Sequence, residues 1–224
     1  YAEISKISED KKSLGKIENI SCDCICVSGF WTPTIHLASQ SGNKTKFNEN
    51  IDAFVPGKSK QQETTLGSAN GIFTLEETLK TSFEAGYEKS KKITRKDNKI
   101  SIPQVSEKKH SKHDKFWCVP LPKEKKYKRF LDFQNDVAVS DVELALREGY
   151  RSIEHVKRYT TLGMATDQGK TSNLNGLQLV SNIEDKIVPA VGHTTFRPPY
   201  TPVTIGTIVG REIGKHSKPT RKSP

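Results

Sequence analysis

Apolar residues are scarce in this sequence. They make up 33% of its 224 residues, the mean hydropathy is −0.64 and the formal net charge is +10. A single well-packed core of this length is normally richer in apolar side chains, so small folded pieces joined by solvated chain are expected. No run is long and apolar enough to cross a membrane, and no signal-peptide pattern opens the chain. A soluble, cytoplasmic protein with no membrane partner is therefore expected. Methionine occurs once, at Met164. Residue 1 is then no translation start, and the chain is expected to be a piece of something longer.

Cysteine occurs only at Cys22, Cys24, Cys26 and Cys118, which indicates no disulfide framework. In an extended strand the first three line one face at intervals of about 7 Å and cannot converge on a tetrahedral ion. Buried thiols acting as small hydrophobes are expected instead. Also lacking is any Ser/His/Asp, paired-carboxylate or metal constellation, so no catalytic residue and no metal site is predicted. A triphosphate-binding loop is excluded by spacing. Five residues separate Gly163 from Gly169, where that motif needs four, and a polar helical segment, Ser152 to Arg158, leads in where it needs a buried strand.

What is present falls into four parts. Residues 1–20 alternate isoleucine with polar residues around Gly15, a hairpin pattern. Ile20 to Val27 reads as a buried parallel strand. It opens at Gly29 and Pro33 into a turn of the kind that binds ligands at the carboxyl edge of an α/β sheet. Thr65 to Leu75 is a small-residue loop running into a helix, with Leu75, Leu79 and Phe83 on one side and Gly86 as its stop. The amino end of that helix suits a pyrophosphate or ribose. Residues 89–128, rich in Lys, Ser, Glu and His, read as a solvated linker anchored at Phe116 to Pro120.

From 129 the pattern turns helical. Ser140 and Glu143 have capping-box spacing, and the helix they start runs to Arg147 with Gly149 as its stop. Ser152 heads a second helix, on whose surface His155 lies. Thr171 or Ser172 heads a third, with Leu174, Leu177 and Val180 on one side. Between the second and third lies Lys157 to Asn173, a stretch dense in cations, hydroxyls and glycine. That mixture suits an anion. The prolines of Thr194 to Pro202 preclude a regular helix and predict an extended connector.

The stretches CDCICVSGFWTPTIHL and LGSANGIFTLEETLKTSFEAG resemble the closing strand, turn, loop and helix of a flavoprotein with two dinucleotide-binding domains. The helical part, with its leading Phe130 to Val137 and its loop, is similar to the small [2Fe–2S] domain of the bacterioferritin-associated-ferredoxin type. The four cluster-ligand positions of that type fall here on Asp132, Gln134, Asp167 and Ser172. None is cysteine, and such clusters are held by thiolates, so no iron–sulfur cluster is expected. The longer run DFQNDV…DVELALREGYRSIEHVKRYTTLGMATDQGKTSN…TTFRPPYTPV resembles the alpha subunit of heterotetrameric sarcosine oxidases.

That resemblance implies an α/β plus small α fold. Residues 1–88 are the end of a Rossmann-like dinucleotide-binding domain, 89–128 a linker, 129–192 a small helical domain and 193–224 a Pro-rich connector leading to a folate-binding domain. It implies NAD in the alpha subunit, FAD in the beta subunit, and FMN between the two, attached through a beta-subunit histidine. Gamma and delta subunits complete the assembly. Sarcosine is oxidatively demethylated, O2 becomes H2O2, and tetrahydrofolate takes up the one-carbon unit. Ala69, Asn70, Thr74 and Leu75 are then candidates for NAD. Lys157, Arg158, Thr160, Thr161, Lys170 and Thr171 are candidates for the FMN phosphate. A nucleic-acid-binding protein is the alternative from another class, but the lysines are densest in the linker, away from aromatics. A related subunit acting on another secondary amine or amino acid is the third reading.

Overall fold

The structure is a computed structural model that describes residues 1–26, 29, 31–97, 100–105, 116–122, 127–198, 201–212 and 214. Val27, Ser28, the middle of the expected linker and the tail from residue 215 lie outside the described residues.

The chain opens with a hairpin of β1 (Ala2–Ile7) and β2 (Leu14–Ile20), antiparallel from Ala2↔Ile20 to Ile7↔Leu14. Gly15 lies inside β2, and the turn precedes it. Among the described residues the buried parallel strand expected over Ile20–Val27 is not found. Pairing stops at Ile20, opposite Ala2 where β1 begins, and 21–26 is irregular, with no strand paired to it among the described residues. Cys24 and Cys26 are exposed and Cys22 half-buried, so the thiols do not form an inward-facing row.

A short helix α1 (His36–Gln40) leads into a second hairpin, β3 (Thr45–Asn48) and β4 (Ala53–Pro56). A 3-10 turn at Gly67–Asn70 precedes α2 (Leu75–Thr94). Thr74 caps α2, accepting the Glu77 N–H at 3.4 Å and donating its hydroxyl to Glu77 Oε2 at 3.2 Å. The helix does not stop at Gly86. One glycine costs about 1 kcal/mol, too little to end a run otherwise rich in Glu, Lys and Ala. The chain instead leaves the helix at Arg95, with φ of 56°. The first residues of the expected linker are thus helical, and no residue of α2 is buried.

The third hairpin, β5 (Phe130–Asp132) with β6 (Val137–Ala138), feeds α3 (Val139–Arg147) without a break. The cap is therefore Ala138 rather than Ser140, and the Asp141 carboxylate accepts the Ala138 N–H at 2.8 Å. Gly149, at φ of 95°, follows the end of α3. Next come α4 (Ile153–Thr160), α5 (Asn173–Glu184, headed by Ser172), α6 (Val188–Val191) and α7 (Ile205–Val209).

The main core sits in this helical part. Val142, Ala145, Val156, Leu162, Leu177 and Val180 are almost wholly inaccessible, and each larger one contributes about 1.5–3 kcal/mol on burial. Phe47 and Phe54 of the second hairpin and Cys118 of the 116–122 segment pack on the same cluster. The anchoring expected at Phe116 to Pro120 is seen here. The second hairpin and the helical part thus share one core.

Candidate functional site

The loop from Thr161 to Ser172 joins α4 to α5. Thr160 ends α4 by donating its hydroxyl to the Val156 carbonyl at 2.8 Å, and its oxygen accepts the Leu162 N–H at 3.2 Å. Thr161 then turns the chain at φ of 65°. Gly163 and Gly169 have φ of 67° and 72°. A Cβ at either would lie 2.2 Å from Asn173 Oδ1. The Asn173 side chain, the first residue of α5, is seated between the two glycines, which explains both.

A buried carboxylate holds the loop to the β5–β6 hairpin. Asp132 is 2% exposed. Its Oδ1 accepts the N–H groups of Gln134 at 2.9 Å and Asn135 at 3.4 Å; its Oδ2 accepts Gly163 N–H at 2.8 Å and the Ser172 hydroxyl at 3.4 Å. Gln134 reaches the far side of the loop, where its Oε1 accepts the Thr166 hydroxyl at 3.0 Å and the Asp167 N–H at 3.4 Å. Asp167 in turn accepts Gly169 N–H and the Thr171 hydroxyl, each at 3.0 Å. So the four positions matching cluster ligands meet as two hydrogen-bonded pairs, Asp132 with Ser172 and Gln134 with Asp167. Oxygen and nitrogen donors knotted to each other do not fit an iron–sulfur cluster, which needs thiolates.

The expected anion-binding residues are divided by this geometry. The hydroxyls of Thr160, Thr161 and Thr171 all donate inward, Thr161 to the Thr160 carbonyl at 2.6 Å. Lys157 is 8% exposed and donates to the Thr195 carbonyl at 3.0 Å, tying α4 to the connector. Burial holds its ammonium below the usual lysine range. Arg158 is exposed and pairs with Glu154 one turn back at 3.4 Å, a contact of small energetic weight. Lys170 is half-buried and donates to the Asp167 carbonyl at 3.2 Å. His155 is exposed on α4, as expected.

Sequence reasoning missed a cluster of rings beside the loop. His36 Nε2 is 2.8 Å from the Gln168 carbonyl, and its ring stacks on Phe196 with centroids 3.7 Å apart. Desolvation keeps its pKa below the ordinary histidine value, the hydrogen bond to Gln168 opposing only in part. His193 lies between Phe54 and Phe196, at 5.3 and 6.5 Å. Together with Lys170, Asn173 and Thr194 these rings line a small half-open pocket of about 40 Å³. No local signal announces the cluster, since His36 and Gln168 are 132 residues apart.

Residues 126–211 match the sarcosine oxidase A3 domain. The chain is 38% identical to the sarcosine oxidase subunit alpha of Rhizobium meliloti (strain 1021), over 94% of this chain and 21% of that protein. It is 32% identical to that of Corynebacterium sp. (strain U-96), over 95% and 22%. Along most of its length the chain is thus similar to sarcosine oxidase alpha subunits, and its helical part matches the A3 domain. It spans about a fifth of the length of these relatives. A crystal structure of L-proline dehydrogenase from P. horikoshii is similar at a TM-score of 0.45 and 22% identity, covering 80% of this chain and 37% of that one.

The knotted loop and its ring cluster fall inside the matched A3 region, apart from His36 and Phe54. The candidates of the first half lie elsewhere. Ala69 and Asn70 are in the 3-10 turn, Thr74 caps α2, and Leu75 is its first residue. Gly71, at φ of 79°, seats this turn on β4, where a Cβ would come within 2.6 Å of Ile51 and 3.0 Å of Val55. Two carboxylates, Glu76 and Glu77, occupy the first turn of α2. They oppose a phosphate there and suit the hydroxyls of a sugar. Among the described residues no group of three or more His, Cys, Asp or Glu is arranged to hold a metal ion, and no helix is long and apolar enough to cross a membrane.

Proposed function

We propose that this chain is a cofactor-facing part of the alpha subunit of a heterotetrameric sarcosine oxidase, working in the cytoplasm with beta, gamma and delta subunits. The enzyme would oxidise the N-methyl C–N bond of sarcosine with O2 as the final acceptor, giving H2O2; FAD and FMN, when bound, would supply the electron-accepting chemistry. Glycine and 5,10-methylenetetrahydrofolate are the other products. The observation that carries the reading is the Thr161–Ser172 loop. Its shape is fixed by Asp132 and Gln134 in place of a cluster, and it lies in the region matched to the A3 domain.

The residues present fit a phosphate at this loop in a narrower way than the sequence suggested. Arg158 and Lys170 carry the charge. The three threonines and Lys157 shape the loop and its tie to the connector through the hydrogen bonds they donate. The 3-10 turn and the start of α2, with Ala69, Asn70, Thr74 and Leu75, face the ribose of NAD rather than its pyrophosphate. When bound, the flavin supplies the electron-accepting chemistry; this chain orients it and excludes water. Oxidation of the amine is then the work of the partner subunit. Co-expression of the complete alpha subunit with its partners, followed by a visible spectrum and flavin and iron analysis, tests the reading. FAD plus covalent FMN without iron is expected; iron in the purified complex, or no flavin at all, contradicts it.

A further inference from the structure

Gln168 holds an unfavourable backbone. Its φ is 51°, a left-handed value that is uncommon outside glycine and persists only where the surroundings impose it. It stands directly before Gly169 and Lys170. Its carbonyl accepts two hydrogen bonds, from Asn173 Nδ2 at 3.3 Å and from His36 Nε2 at 2.8 Å. A carbonyl only accepts, so Nε2 carries the ring proton. Asn173 belongs to the helix that the loop runs into, whereas His36 reaches across from α1. Its N–H stays aimed at Gln168 only while the plane of the ring is fixed. Phe196 fixes it. The two rings stack with centroids 3.7 Å apart and an interplanar angle of 26°, and both are buried. Phe196 is in turn seated through the residue before it. The Glu154 carboxylate accepts the Thr195 N–H and the Lys157 ammonium donates to the Thr195 carbonyl, so α4 grips both backbone polar groups of one connector residue.

We propose that Phe196 is a positioning residue of the loop: it locks the His36 ring, and His36 holds Gln168 and with it Gly169 and Lys170. The loop is then fixed at two places. Asp132 holds Gly163 and Ser172, and the connector, through Phe196 and His36, holds Gln168. That Lys170, so placed, meets a flavin phosphate rests on the function proposed above; the positioning itself does not.

The test uses the complete alpha subunit co-expressed with its partners, carrying Phe196→Leu, and reads hydrogen exchange by mass spectrometry. The amides of Lys170, Ser172 and Asn173, which donate to the carbonyls of Asp167 and Gly169, should exchange about fivefold faster. The Gly163 N–H, held by Asp132, should keep its rate. Lys157→Met retains the apolar stem and loses the bond to Thr195, and should give the same selective pattern. A general loss of core packing, represented by Val142→Ala, speeds both groups of amides together. Failure of either Phe196→Leu or Lys157→Met to show the selective pattern, whether by unchanged exchange or by acceleration that extends equally to Gly163, overturns the inference. Covalent FMN is measured on the same samples. Less FMN together with selective acceleration supports both readings, whereas selective acceleration with FMN unchanged supports the positioning and contradicts the phosphate assignment.

Discussion

Replacing Asp132 by alanine removes the acceptor on which four donors converge. Two of those bonds are short, to Gly163 N–H at 2.8 Å and to Gln134 N–H at 2.9 Å; the two to Asn135 N–H and Ser172 are longer, at 3.4 Å. A hydrogen bond to a charged group contributes about 1.5–3 kcal/mol, and a buried N–H left without a partner costs a similar amount. The desolvation of the carboxylate offsets part of this. Counting only the two short bonds, at their lower limit, gives a loss of about 3 kcal/mol. In a subunit that unfolds by domains, that is read as an earlier urea midpoint of the transition involving this module. Circular dichroism across a urea series measures it, and hydrogen exchange at Gly163 localises it. Asp132→Asn keeps one acceptor but points an N–H2 at another donor, so it should fall between alanine and wild type. Should Asp132→Ala shift the folding free energy by less than about 0.5 kcal/mol, the knot does not hold the loop and the reasoning is wrong.

Three further outcomes follow from the same geometry. Gly169→Ala forces a side chain toward Asn173 Oδ1 at a φ of 72° and should destabilise by about 2 kcal/mol or more, whereas Gly86→Ala, which meets nothing within 4 Å in α2, should stabilise by up to about 1 kcal/mol; paired urea titrations check both. The folded pKa of His36 is lowered, so the unfolded chain takes up the proton first as pH falls. The stability contributed by neutral His36 is then complete above the unfolded value, near 6.5, and is lost below it; His36→Gln should flatten the denaturation midpoint between pH 8 and 5.5. Glu76→Gln and Glu77→Gln should weaken NAD binding to the complete subunit if the start of α2 faces the ribose, and unchanged affinity in a titration calorimeter removes that assignment.

Where local pattern decides structure, the sequence was informative. The first hairpin followed from alternating isoleucines. Helices α3, α4 and α5 followed from their apolar spacing and from Gly149, Ser152 and Ser172 at their ends. The run from Ile20 misled because a short apolar stretch fits a buried strand only if a partner strand lies beside it, and here pairing ends at Ile20. Gly86 was read as a stop when its cost is small against a 20-residue helix, and Ser140 lost the cap position because β6 leads straight into α3. At the site, the loop's glycines and the convergence of positions 132, 134, 167 and 172 were legible. What was not is which threonines would spend their hydroxyls inward. That depends on Asp167 and on the carbonyls of Val156 and Thr160. The stacking of His36 on Phe196 was equally hidden, because a contact across 160 positions of chain leaves no periodicity to read.

The most direct test of the central claim is the covalent FMN content of the co-expressed complex carrying Arg158→Gln and Lys170→Gln together, set against its FAD content. Loss of the two charges from a phosphate site should cut FMN about tenfold or more and leave FAD unchanged. An FMN content equal to wild type would contradict the claim that this loop faces the flavin phosphate.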